Sequence, residues 1–216
     1  MLLLIAGNET KPNARGSSNM NKNPGDFLAS SLVLIRQAKK GDKEALNLLL
    51  KRYSPRVLQI VRARLGPGLR AKLDSQDILQ EAFIRAVKGF DGYEIRGEGK
   101  FLYWLSRLVK NAICDRHDYF RADKRFSGND LPLTVGLGSA DKDPTPSQFL
   151  TFQEGFQRLL CAMDELPEES RESVVHRDME GLSFAEIGSI MGRTEDAARM
   201  LYVRAKAKLA ALMEES

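Results

Sequence analysis

Residues 183–212 read SFAEIGSIMGRTEDAARMLYVRAKAKLAAL, and this stretch predicts two helices joined by a tight turn. Ser183 and Glu186 have the spacing of a capping box, in which the hydroxyl accepts from a backbone amide and the carboxylate accepts in return. Gly192 follows the first apolar run, and glycine adopts a positive φ without a steric penalty. The pattern therefore predicts a helix-turn-helix, whose second helix can enter the major groove of DNA.

Each helix of this motif has an apolar side at helical spacing. The side chains expected to pack inward are Ala185, Ile187, Ile190 and Met191 in the first helix, and Ala198, Leu201, Ala205, Leu209 and Leu212 in the second. Thr194 is placed to cap the second helix, and Glu195 and Asp196 suit its positive end. The basic side chains left for solvent or phosphate are Arg199, Arg204, Lys206 and Lys208. A helical hairpin with a solvated basic face is the alternative interpretation of this segment.

The composition of the 216-residue chain is that of a mildly basic soluble protein. Its 33 Lys and Arg residues against 29 Asp and Glu residues give a net charge of +4, which is compatible with a polyanionic partner but does not require one.

The two cysteines, Cys114 and Cys161, are far apart in sequence, so we expect buried free thiols in a reducing cytoplasm. The isolated His117 and His176 lack metal-ligand spacing, so we expect neither a metal site nor a cofactor. The apolar run at residues 1–6 is too short for a membrane span, so we expect no membrane insertion.

Helical periodicity dominates the chain, and no strand alternation is convincing, so we predict an all-α fold of two small helical domains. Residues 1–26 have the composition of a disordered tail, and 27–126 form a helical bundle with a kink or break expected at Pro55. Residues 127–147 are rich in Gly, Ser, Asp and Pro and predict a flexible linker. Residues 148–216 then form the domain that ends in the helix-turn-helix.

The helix predicted from an Asp74 cap to about Gly89 has two faces. We assign Ile78, Leu79, Ala82, Phe83, Ala86 and Val87 to the core. A second face carries Asp77, Gln80, Glu81 and Ile84. Such a face could dock a basic partner surface, although spacing alone favours an ordinary solvated face.

The next helix, expected from about Gly99 to about Ala122, carries a basic and aromatic stripe. Its members are Lys100, Tyr103, Arg107, Lys110, His117 and Arg121, and Arg116, Lys124 and Arg125 extend the basic region. Cations suit phosphates, and an aromatic ring can stack on an unpaired base. Trp104 is placed for either core packing or a base contact. A surface helix with snorkelling Lys and Arg side chains is the equally weighted alternative.

These parts, taken in order, resemble a known family. The segments that carry the resemblance are Asp74-Ser-Gln-Asp77-Ile-Leu-Gln80-Glu81-Ala-Phe83, Phe101-Leu-Tyr-Trp104-Leu, Lys110-Asn111-Ala-Ile-Cys-Asp115, Leu166-Pro167, Gly181-Leu-Ser-Phe-Ala-Glu186-Ile and Arg204-Ala-Lys206. They resemble the bacterial sigma factors of the small, extracytoplasmic-function (ECF) type. The resemblance covers residues 27–126 and 148–213 and omits only the tail and the linker.

The resemblance implies a non-enzymatic subunit that binds core RNA polymerase, at its β′ clamp helices and its β flap, and directs promoter-specific initiation. It implies three sets of site residues: Asp77, Gln80, Glu81 and Ile84 for the polymerase; Tyr103, Trp104, Arg107, Lys110, Asn111 and Arg116 for the −10 element; and Arg193, Thr194, Glu195, Arg199, Arg204 and Lys206 for the −35 element. Members of the family are often held inactive by an anti-sigma factor.

Two other functions are compatible with parts of this pattern. A helix-turn-helix transcriptional regulator would bind DNA without core polymerase, but the sequence has neither a ligand-pocket signature nor dimerisation heptads. An enzyme acting on nucleic acid would need clustered acids for metal ions. Asp74, Asp77 and Glu81 are the only close group, and such a helix face is more often surface than site.

Overall fold

A computed structural model describes residues 24–95, 100–127 and 146–214. These residues form helices and no strand, so the predicted all-α class is confirmed. The helices are α1 (Pro24–Lys39), α2 (Lys43–Arg64), α3 (Pro67–Arg70), α4 (Ser75–Gly89), α5 (Lys100–Ser127), α6 (Pro146–Asp164), α7 (Glu168–Val174), α8 (Phe184–Met191) and α9 (Glu195–Glu214). A 3₁₀ turn (Phe90–Gly92) follows α4, and a π turn (Val175–Met179) extends α7.

Two of the predicted boundaries fall largely outside the described residues. The tail predicted at 1–26 lies there except for its last three residues, because α1 begins at Pro24. The linker predicted at 127–147 lies there except at its ends, which belong to α5 and α6.

A kink or break was expected near Pro55, and helix α2 runs through this residue without a break. Proline removes one backbone hydrogen bond of the helix, but the flanking side chains Tyr53 and Val57 are buried in the core. This tertiary packing outweighs the local penalty. Asp42 caps the start of the helix, since its carboxylate accepts from the amides of Glu44 and Ala45 at 3.0 and 3.1 Å.

Helices α4 and α5 form the rest of the N-terminal bundle with α1 and α2. Helix α4 has the predicted bounds, and the Asp74 carboxylate accepts from the Gln76 amide at 2.7 Å. Helix α5 continues to Ser127, five residues beyond the expected end, because the sequence has no helix breaker before Gly128.

The helix-turn-helix is confirmed in its local detail. Ser183 and Glu186 form the reciprocal capping box. Gly192 ends α8 with a φ of 65°, and the Thr194 hydroxyl accepts from the Ala197 amide at 3.2 Å.

The predicted apolar side of α9 packs inward, but two residues of α8 were misassigned. Ile187 and Met191 face the core as expected, whereas Ala185 is exposed and Ile190 is 40% exposed. The short α8 packs on α9 through Ile187 and the buried Gly188, and this contact turns the other two side chains outward.

Gly188 sets how closely α8 approaches the turn that follows it. A Cβ at this position would lie 2.7 Å from the carbonyl oxygen of Arg193 and 3.1 Å from that of Thr194. Gly188→Ala is therefore expected to lower the free energy of unfolding by about 1–3 kcal/mol, the usual effect of overpacking, despite the better helix propensity of alanine. Urea unfolding measures this change. Gly155→Ala, where a Cβ meets open space, is the control, and an equal effect of both substitutions would contradict the close approach.

The N-terminal bundle and the C-terminal half pack against each other. Helix α2 contacts α6, α7 and the π turn. One cluster of buried side chains includes Ile60 and Val61 of α2 together with Leu160 and Met163 of α6. The bidentate pair between Arg70 of α3 and Asp164 of α6, with both N–O distances at 2.9 Å, adds a charged contact.

The two cysteines lie on the surface, which corrects the expectation of buried thiols. Cys114 on α5 and Cys161 on α6 are both free and exposed. Each helix turns an apolar face of larger residues to the core, among them Val109 and Met163, and the cysteines fall outside these faces.

Candidate nucleic-acid interface

The predicted docking face of α4 is exposed at three of its four positions. Asp77 and Gln80 are exposed, and Ile84 is 55% exposed. Val87, which we assigned to the core, is 53% exposed on the same helix. An open depression of about 410 Å³ is lined by Gln80, Phe83, Ile84, Val87 and Lys88. The residues of α4 that are buried in the bundle's core are Ile78, Leu79, Ala82 and Ala86. Val87 lies outside this buried face and is therefore exposed.

The fourth position of this face, Glu81, is engaged within the chain. Its carboxylate accepts from Arg85 at 2.5 Å and from Arg116 of α5 at 3.0 Å. Glu81, predicted for the polymerase, and Arg116, predicted for the −10 element, thus contact each other. This pair connects α4 to α5 and holds both side chains at the edge of the bundle.

Five of the predicted −10 residues lie along one side of α5, whereas Arg116 lies on the other side of the helix, where it contacts α4. Arg107, Lys110, Asn111 and Arg116 are exposed, whereas Tyr103 and Trp104 are half-buried. The stripe thus presents cations to solvent and keeps its two aromatic side chains against the protein.

Trp104 packs against the core, which was one of the two expected roles, and its contact with a base stays a prediction. Its ring packs against those of Tyr93 and Phe101, with centroids 4.8 and 5.5 Å away. It also lines a cavity of about 400 Å³ with Tyr93, Lys100, Tyr103, Arg107 and Glu186. Burial raises the pKa of Tyr93 to about 12. Sequence reasoning did not assign Tyr93 to this site, and it assigned Glu186 only to the capping box of α8, because neither residue belongs to the periodic stripe of α5.

Three side chains of the α5 stripe contact the C-terminal half. Tyr103 packs against the core of the helix-turn-helix, which comprises Leu182, Ile187 and Ala198. The ammonium of Lys100 donates to Glu186 of α8, and Lys110 Nζ lies 3.6 Å from Glu172 of α7. The hydrogen bonds from Lys100 and from the Ser183 amide lower the pKa of Glu186 to about 2.

A buried ion network links α2 to α7 and the π turn. Arg64 Nε donates to Glu172 at 3.1 Å, and its Nη2 donates to Glu180 at 2.7 Å. Arg64 also donates to the Ser106 carbonyl of α5 at 3.0 Å, and His176 Nδ1 is 2.7 Å from Glu180. The exposed fractions of the Arg64 and Glu180 side chains are 4% and 0%. The network is therefore shielded from water and satisfied by groups of both halves.

The carboxylates of this network stay ionised despite their burial. Burial alone would raise the pKa of Glu172, but the charges of Arg64 and Lys110 outweigh it and lower the pKa. Burial would likewise raise the pKa of Glu180, and the hydrogen bond with His176 and the charge of Arg64 lower it instead. At a pH above 4.5, the ordinary pKa of a glutamate, both ionised carboxylates stabilise the fold. This stabilisation is lost as the pH falls below 4.5 toward their lowered pKa values.

The predicted −35 residues lie at the start and along the outer side of α9. Arg193 pairs with Glu169 at 2.5 Å, Glu195 with Arg199 at 3.1 Å, and Lys206 with Asp178 at 3.0 Å. Arg204 is exposed. Arg199 also lies over the ring of Phe184, 5.5 Å from its centroid. Exposed pairs of this kind contribute little energy, so these cations can exchange their partners for phosphates.

Two further observations concern the described part of the chain. No helix there is both long and apolar enough to cross a membrane. No cluster of three or more His, Cys, Asp and Glu side chains there has the proximity that a metal ion needs.

Two family models match the two halves of the chain. The model described as Sigma-70 region 2 matches residues 49–126, and that described as Sigma-70, region 4 matches residues 156–209. The chain is 31% identical over 180 residues to the ECF RNA polymerase sigma-E factor of Escherichia coli K12, which covers 81% of this chain and 89% of the relative. The sigma-E factor of Haemophilus influenzae is 29% identical over 181 residues, with 81% and 90% covered.

Solved structures share the fold. CnrH in complex with the cytosolic domain of CnrY has a TM-score of 0.52 at 23% identity, covering 87% of this chain and 99% of that one. The Bartonella quintana sigma factor RpoE in complex with the anti-sigma factor NepR has a TM-score of 0.53 at 18% identity, covering 81% and 98%.

The chain belongs to the ECF family of RNA polymerase sigma factors. It binds core RNA polymerase and promoter DNA and directs the initiation of transcription. The alternative of a regulator that acts without core polymerase is not supported.

Proposed function

We propose that the two halves divide promoter recognition between them. Residues 27–126 bind the β′ clamp helices and read the −10 element, residues 148–216 bind the β flap and read the −35 element, and 127–147 link the two. The observation that carries the polymerase assignment is the exposed pair Ile84 and Val87 beside the acid Asp77 on α4. Apolar side chains rimmed by polar ones are typical of a protein interface.

The −10 role falls to α5. Arg107, Lys110 and Asn111 offer exposed polar groups for phosphates and bases, and Tyr103 and Trp104 offer rings that can stack on an unpaired base. The guanidinium of Arg116 can contact phosphate only if its ion pair with Glu81 is broken.

The −35 role falls to α9 and the turn before it. Arg193, Thr194, Glu195 and Arg199 lie at the start of the recognition helix, where side chains reach base edges. Glu195 suits cytosine N4 as an acceptor. Arg204 and Lys206 lie further along and suit phosphate.

We also propose that the chain has no catalytic activity of its own, acts in the cytoplasm and is controlled by an anti-sigma factor. In this interpretation the polymerase supplies the catalytic chemistry. A sigma factor of similar fold, RpoE of Bartonella quintana, was solved in complex with the anti-sigma factor NepR.

The polymerase assignment is tested by the double variant Asp77→Lys/Ile84→Glu. We expect its affinity for core RNA polymerase to fall at least about tenfold, or about 1.4 kcal/mol, because it removes an apolar anchor and reverses a charge. The melting temperature should stay the same, since both side chains are exposed. Fluorescence anisotropy of labelled sigma factor titrated with core enzyme measures the affinity.

The matched control is Glu44→Lys/Leu48→Glu, which makes the same chemical changes at exposed positions of α2. Equal affinities of the α4 variant and this control would contradict the assignment of α4. Glu81 is left unchanged, because a lysine there would face Arg85 and Arg116 and disturb the fold.

A further inference from the structure

Lys39 is the last residue of α1, and its side chain binds the turn that follows α4. The ammonium donates to the carbonyl oxygens of Phe90 and Asp91, each at 2.9 Å. These carbonyls lie just beyond the C-terminal end of α4, where the helix dipole favours a cation. The ammonium therefore fixes the 3₁₀ turn to the end of α1, as lysines near a helix C-terminus often do within their own helix.

The same ammonium lies over two aromatic rings. It is 5.3 Å from the ring centroid of Phe90 and 5.9 Å from that of Tyr93, and a cation this close to an aromatic face is attracted to it. The two rings stack on each other with centroids 6.1 Å apart. The Tyr93 hydroxyl is buried without a hydrogen-bond partner among the described residues. The position of Tyr93 therefore depends on ring packing and on Lys39.

These two rings in turn support Trp104. Their centroids lie 6.3 Å (Phe90) and 4.8 Å (Tyr93) from that of Trp104. Tyr93 and Trp104 both line the cavity of about 400 Å³ beside Arg107, whereas Lys39 does not line it. A shift of the 3₁₀ turn would thus move one wall of this cavity and the support of Trp104 together.

We infer that Lys39 is a positioning residue for −10 recognition, which acts by holding Phe90 and Tyr93 against Trp104. This inference rests on the proposed −10 role of Trp104 and α5. Lys39 contacts no base in this interpretation. Its loss lowers the discrimination between −10 bases, because a site whose walls are loosely held rejects a wrong base less well.

The structural step can be measured without DNA, because Trp104 is the single tryptophan of the chain. We expect acrylamide to quench its fluorescence at least about twofold more efficiently in Lys39→Met, since the turn opens locally when it loses its cation. Lys39→Arg keeps both a donor and a cation and should remain close to the wild type. Lys40→Met makes the same change at the exposed neighbouring position and is the matched control. Equal quenching in Lys39→Met and Lys40→Met would overturn the inference.

The functional step is measured on holoenzyme, at a promoter identified by mapping of transcript 5′ ends. Each position of the −10 and −35 elements is replaced in turn, and the rate of promoter opening with the original base is divided by the rate with the replacement. We expect Lys39→Met to reduce the largest −10 ratio at least about threefold and to leave the −35 ratios unchanged. A variant that is only less stable would open every promoter more slowly by the same factor, so wild-type ratios in Lys39→Met would overturn the positioning role.

Trp104→Ala separates a failure of this inference from a failure of the −10 assignment. Wild-type −10 ratios in Trp104→Ala would overturn both, because Trp104 would then not read the element. Reduced ratios in Trp104→Ala together with wild-type ratios in Lys39→Met would overturn the role of Lys39 alone. Reduced ratios in both variants, restored to the wild-type value in Lys39→Arg, are the result that the inference predicts.

Discussion

Arg64→Met is expected to uncouple the two halves of the chain. The substitution leaves Glu172 and Glu180 buried without their cation, and removal of one partner from a buried pair destabilises a protein by about 3–5 kcal/mol. The two carboxylates regain water when α7 and the π turn separate from α2. We therefore expect the single cooperative unfolding transition of the wild-type chain to divide into two in differential scanning calorimetry.

Two control variants compare this substitution with a conservative change at Arg64 and with the loss of an exposed ion pair. Arg64→Lys retains the charge but not the forked geometry of the guanidinium, so its effect should be smaller. Arg193→Met breaks the exposed pair with Glu169, whose side chains are 36% and 65% exposed, and should change the stability by less than about 1 kcal/mol. A single transition at the wild-type temperature in Arg64→Met would show that the buried network does not join the halves.

Phe101→Ala is expected to remove about 3–5 kcal/mol from the free energy of unfolding of the N-terminal bundle. Phe101 is 2% exposed, and its ring contacts those of Tyr53, Tyr93 and Trp104, with centroids 5.1, 5.4 and 5.5 Å away. Truncation leaves a cavity under Trp104, so the ring proposed for base stacking loses its support. Promoter opening should therefore fall together with stability.

The chain has a single tryptophan, so Trp104 fluorescence reports this change directly. Urea unfolding followed at its emission gives the free energy, and the native emission should shift to longer wavelength as the ring becomes hydrated. Tyr119→Ala removes an aromatic ring that is 64% exposed on the same helix and should have a small effect. A loss below about 1 kcal/mol in Phe101→Ala would contradict the supporting role of this cluster.

The helix-turn-helix could be predicted from the sequence because its determinants are local. A capping box, a glycine at the turn and an apolar repeat lie within one short segment, and each fixes backbone geometry near itself. The bounds of α4 followed from the Asp74 cap for the same reason. The faces of α4 and α8 were less certain, since periodicity orients a helix but does not give the width of its buried side. Val87 and Ile190, which we had assigned to the buried sides of these helices, are therefore exposed in the structure.

The packing of the two halves could not be predicted, because it depends on pairs that are distant in sequence. Arg64 is separated from Glu172 by 108 positions and from Glu180 by 116. Nothing in the neighbourhood of these residues marks them as partners, and a basic residue near the end of a helix is usually solvated. The contact between Lys100 and Glu186 was missed for the same reason, although both residues belong to motifs that the sequence singled out.

The central claim is that this chain directs promoter-specific initiation through two separate DNA contacts. Transcription in vitro with purified core RNA polymerase, fragmented genomic DNA and mapping of the transcript 5′ ends tests it most directly. We expect start sites that appear only when the chain is added and that share two short sequence blocks, near −10 and −35. No start sites above those of core enzyme alone, from protein that is folded by circular dichroism and bound to core, would contradict the claim.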